Sequence, residues 1–106
     1  PVYWPFLVFE TGALDATLAA AAGDDPQLLR ELRAAFLESA ARQVDLLGRA
    51  RCDANWHVTA LRLKGLAASF HVEPLMNLAE RALEAAPGEP TVVRDLRAFL
   101  DGFSKE

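Results

Sequence analysis

The sequence predicts an all-α fold: an up-down antiparallel four-helix bundle with a short additional N-terminal helix. Three observations lead there. Apolar residues recur every three or four positions over long stretches. Breaker and cap clusters interrupt them regularly, at Gly23-Asp24-Asp25-Pro26, Asp53-Ala54-Asn55, Val72-Glu73-Pro74 and Pro87-Gly88-Glu89-Pro90. No alternating strand pattern of useful length follows the N-terminal segment. Short connections between helices of this length favour antiparallel neighbours. Neither a repeat nor a linker divides the 106 residues, which read as one domain.

Each element has its own signals. The first helix is expected from Thr11, as N-cap, to Gly23, with Leu14, Leu18 and Ala21 inward. The second opens with Asp25 as N-cap and Pro26 at the first helical position. Leu28, Leu32, Phe36 and Ala40 recur along it, Leu29, Val44 and Leu47 widen its face, and it should end near Ala50 or Arg51. The third runs from about Asp53 to Phe70. The fourth opens with Pro74 at its first position, with Leu75, Leu78, Ala82 and Leu83 inward. The fifth opens at Pro90 or Thr91, with Val92, Leu96, Phe99, Leu100 and Phe103 inward.

Composition narrows the function. With 52% hydrophobic and 25% charged residues the chain can bury a core. A net charge of -4 argues against nucleic acid and anionic membranes as partners. The single cysteine, Cys52, excludes an internal disulfide framework, fits a reducing cytoplasm and has no marked base beside it; it reads as a small residue near a helix end. No Cys/His spacing suggests a metal, and no cofactor is implied. The opening PVYWPFLVF, within an apolar segment 1–10, falls short of the roughly 20 residues of a membrane span and lacks the basic region of a signal peptide. It is expected to pack on the bundle or on a partner.

The third helix carries the candidate site. At about 100° per residue, Trp56, Ala60, Leu63, Ala67 and Phe70 fall within roughly 80° and define a buried stripe. Leu61 points about 150° away from its centre. Val58, Gly65 and Ala68 surround it, and His57 and Lys64 flank the same surface. An exposed apolar patch of this kind marks a protein interaction site. Gly65 costs the helix roughly 0.5–1 kcal/mol relative to alanine and admits a close approach; Lys64 can meet a carboxylate or phosphate. The alternative is that the N-terminal segment covers this face.

These residues resemble a known family. ALRLKGLAASF followed by VEPLMNLAERALEAA resembles the histidine phosphotransfer (Hpt) domain of bacterial phosphorelays, whose motif has the form A-H-x-L-K-G followed by small residues and a glycine. Ala60, Leu63, Lys64 and Gly65 match it, as do Ala67, Ala68 and the later Leu83-Glu84; DDPQLLRELRAAFLESAARQVDLL resembles the family's second helix. The resemblance covers roughly Leu14 to Phe103. Two positions depart from it: Leu61 stands at the phosphoacceptor histidine, and His71 at the glycine after the small residues. Leucine has no nucleophilic atom, so transfer through that position is excluded. The resemblance therefore implies a degenerate Hpt domain, a non-catalytic cytoplasmic adaptor of two-component signalling. It would bind a response-regulator receiver domain or a histidine kinase through His57, Val58, Leu61, Lys64, Gly65 and Ala68.

Two alternatives stand beside it. One is an active phosphotransfer domain using His57 or His71. His57 shares the face of Leu61 one turn earlier, yet lies about 10 Å along the axis from Lys64. His71, at the helix end, reads as a capping residue favoured by the dipole. The other is a structural dimerisation bundle. The charged residues Arg30, Glu31, Arg33 and Glu38, and likewise Glu80, Arg81 and Glu84, read as solvated helix faces.

Overall fold

The computed structural model describes residue 14 and residues 16–104. Among these all regular structure is helical, with no strand. Residue 14 and residues 16–22 are helical and form α1; α2 is Pro26–Gly48, α3 Asp53–Ser69, α4 Glu73–Glu84 and α5 Pro90–Ser104. The expected N-cap Thr11 and the apolar segment 1–10 lie outside the described residues.

Helices α2 to α5 pack in a closed ring: α2 against α3 and α5, α4 against α3 and α5. Inside it lies one apolar core. Phe36, Ala40, Val44 and Leu47 come from α2, Trp56, Ala60, Leu63 and Ala67 from α3, Leu75, Ala79 and Ala82 from α4, and Val92, Val93, Leu96, Leu100 and Phe103 from α5. Leu14 and Leu18 of α1 join it.

The caps show why the helices begin and end where they do. Asp25 Oδ1 accepts from the Gln27 and Leu28 amides at 3.0 and 3.2 Å, and Pro26, which has no amide to satisfy, follows. Gly23, at φ +69°, closes α1 with its amide on Ala19 O at 2.9 Å. Glu89 Oε1 accepts from the Thr91 amide at 3.0 Å and starts α5. That bond, then the Thr91 hydroxyl and the Arg94 charge, holds the Glu89 carboxyl below its ordinary pKa.

Several expectations need correction. The inward residue of α1 is Ala22, which continues the Leu14-Leu18 row at four-residue steps, and Ala21 is exposed. Leu28 is 37% exposed. It lies about 7.5 Å along α2 beyond Arg33, where the Arg33 guanidinium meets the end of α5 through the Phe103 carbonyl at 3.5 Å and lies 5.6 Å from the Phe103 ring centroid. Arg33 is accordingly half-buried rather than part of a solvated face. Helix α2 ends at Gly48, two residues early; a Cβ there would come within 2.9 Å of Arg97 Nη2 and 3.3 Å of Val93 Cγ1, so the glycine lets α5 come close. Helix α4 opens at Glu73, which puts Pro74 second rather than first.

Candidate functional site

Helix α3 owes its position to its inner face. Trp56, in the first turn, donates its indole N–H to Ala82 O at 2.8 Å, a buried bond. Ala82 lies in the last turn of α4, where carbonyls have no partner within the helix. The start of α3 is thereby tied to the end of α4. At the other end the Phe70 ring meets Phe36 of α2, with centroids 4.8 Å apart. Between them Ala60, Leu63 and Ala67 are fully buried, as the spacing predicts, and Phe70 is half-buried.

The residues singled out in sequence share the opposite face. His57, Val58, Leu61, Lys64, Gly65 and Ala68 span an arc of roughly 120°. Leu61 is 46% exposed and Val58 43%, the most exposed large hydrophobic side chains among the described residues. His57, Gly65 and Ala68 are exposed too. Among the described residues a Cβ built on Gly65 would meet nothing within 4 Å, so no packing there calls for a glycine.

Lys64 differs from its neighbours. It sits at the α4 edge of the face, half-buried, with Nζ 3.2 Å from Glu80 Oε2. Glu80, expected as a solvated residue, is the partner of the face's own cation. Arg81 beside it reaches across to Asp95 of α5 at 3.0 Å. These pairs join residues far apart in sequence, so helical spacing within one element carries no signal of them.

His71 occupies the left-handed region at φ +59°. The Val72 amide donates to Ala67 O at 2.9 Å and the His71 amide to Ala68 O at 3.2 Å. This is the paired bonding of a Schellman ending, with His71 at the position that favours glycine and buried Val72 after it. The expected side-chain capping role gives way to a backbone one. The helix terminates in a conformation that side chains resist.

Two further features of this side escape the sequence reading. Leu46 of α2 is 39% exposed, because Val44 and Leu47 already face the core and a helix turns the adjacent leucine outward. Helix α3 also holds no carboxylate after Asp53, while carrying Arg62 and Lys64; a charge count along the helix would have revealed that. Cys52 is exposed at the N-cap of α3 and makes no side-chain capping bond. Among the described residues no group of three or more His, Cys, Asp or Glu could hold a metal ion, and no helix is long and apolar enough to cross a membrane. Comparison with protein-family models, curated proteins and solved structures found no match to this chain.

Proposed function

We propose that the chain is an up-down antiparallel four-helix bundle of Hpt kind that acts as a non-catalytic adaptor in cytoplasmic two-component signalling. Its outer α3 face binds a response-regulator receiver domain or a histidine kinase. The observation that carries this reading is the pairing of the exposed Leu61 with the open surface over Gly65. A mid-helix glycine with no packing reason among the described residues, one turn from an exposed leucine, supports a surface that a partner can approach closely.

In this reading Leu61 supplies the apolar centre and Gly65 the close approach. Lys64 can trade Glu80 for a carboxylate of the partner, since a solvent-accessible pair of this kind is worth about 0–1 kcal/mol. No phosphoryl group passes through Leu61, which has no atom to carry one. The adaptor would hold a receiver or compete for it.

The test is calorimetric titration of the chain with a panel of bacterial receiver domains and kinase dimerisation domains. Leu61→Glu should abolish binding while leaving the helical content intact. Binding that survives this substitution unchanged would remove the α3 face from the account.

A further inference from the structure

We propose that the groove between α2 and α3 seats an acidic amphipathic helix of a partner protein. This surface lies on the flank of α3 away from Lys64, shares Val58 with the proposed receiver face, extends onto α2, and is argued without the receiver reading.

The groove measures about 470 Å³ and runs from Leu46 on α2 and Ala50, just past its end, to Ala54, Val58 and Arg62 on α3. Its floor is apolar and open: Leu46 and Val58 are 39% and 43% exposed. Its length along α3, from Ala54 to Arg62, is roughly 12 Å, about two turns of a partner helix. Apolar side chains spaced i, i+4 and i+7 on such a helix would lie over Leu46 and Val58.

Charge selects the partner. The lining holds two guanidinium groups, Arg49 and Arg62, and no carboxylate, in a chain whose net charge is -4. Arg49 is held by Asp45 at 2.6 Å, whereas Arg62 makes no ion pair or hydrogen bond among the described residues. Thr59 adds a polar point to the lining, at 6% exposure. A partner helix with an apolar stripe and flanking carboxylates fits the apolar floor and the basic lining, since a cation without an ion pair gains from an acidic group.

The test uses two stapled helical peptides of about 14 residues. Both carry leucines at i, i+4 and i+7; one has glutamates on the flanks and the other lysines. Each is titrated into the isotope-labelled full chain and followed by NMR. The glutamate peptide should bind saturably with Kd below about 1 mM and move the signals of Leu46, Val58, Thr59 and Arg62. The lysine peptide should bind roughly two- to fivefold more weakly, and Arg62→Glu should reverse that preference. Val58→Glu, at an exposed position that leaves the fold intact, should abolish binding of the glutamate peptide. Equal binding of the two peptides, no binding at about 1 mM, or shifts centred elsewhere would overturn the proposal. So would cross-peaks, without peptide, from the Leu46 or Val58 methyls to the rings of Tyr3, Trp4 or Phe6, which give the groove to the chain's own N-terminal segment. Shifts of the same residues with protein concentration would give it to a second copy and overturn the proposal equally.

Discussion

The two faces of α3 are built on opposite terms. The inner face is tied at every turn: Trp56 to the Ala82 carbonyl, Ala60, Leu63 and Ala67 into the core, Phe70 against Phe36. The outer face carries an exposed leucine, an exposed valine and a glycine with open space above it among the described residues. A helix selected for stability alone would carry polar residues and alanine there. The difference separates what holds the helix in place from what the helix presents.

That contrast can be broken by substitution, and the largest effect belongs to the inner face. Leu63→Ala should lower unfolding free energy by about 2–5 kcal/mol, read by chemical denaturation. Leu61→Ala, two residues away, should stay within about 0.5 kcal/mol of the parent. If both substitutions destabilised equally, the two faces would not be distinct. Trp56→Phe comes next. It keeps the ring and strands the Ala82 carbonyl, for a loss of about 1–3 kcal/mol, and amide exchange should quicken at the α3–α4 end.

Two substitutions should raise stability, and they sharpen the contrast in different ways. His71→Gly relieves a left-handed side chain at the α3 terminus and should add about 1 kcal/mol without touching the outer face. Gly65→Ala should add about 0.5–1 kcal/mol while weakening partner binding, because the new methyl projects into the space a partner would enter. Stabilisation with undiminished binding would show that the glycine has no part in docking.

The smallest effect lies far from α3. The Glu89 carboxyl is held below its ordinary pKa because its ionised form accepts the Thr91 amide. A depressed folded-state pKa stabilises the fold above the unfolded pKa, and that contribution disappears as pH falls through the folded value. An NMR titration of Glu89 should therefore show a midpoint below the ordinary value for a glutamate side chain. Glu89→Gln should flatten the acid limb of the stability curve slightly and leave the α3 face unchanged.

How much of this was legible depends on whether a feature lives within one helix or between two. The buried stripe of α3, the Asp25-Pro26 start of α2 and the Gly23 stop of α1 all follow from spacing or local chemistry. So does the outward placement of Leu61, which periodicity alone assigns. The spacing points Ala21 inward where Ala22 is buried, since alanine gives a weak signal of facing. Leu28 continued a regular four-residue row and still emerged exposed, because periodicity does not say where the neighbouring helix ends. The Lys64–Glu80 pair and the Trp56–Ala82 bond join different helices and depend on how those helices align. His71 is the remaining kind of miss: a histidine carries no propensity that announces a left-handed helix end.

The most direct test of the docking face is an NMR map of a bound receiver domain on the labelled full chain. The account predicts that the largest shifts fall on His57, Val58, Leu61, Lys64, Gly65 and Ala68, while Ala60, Leu63 and Ala67 hold their packing. Shifts centred on α4 and α5, or none across the receivers tried, would contradict it.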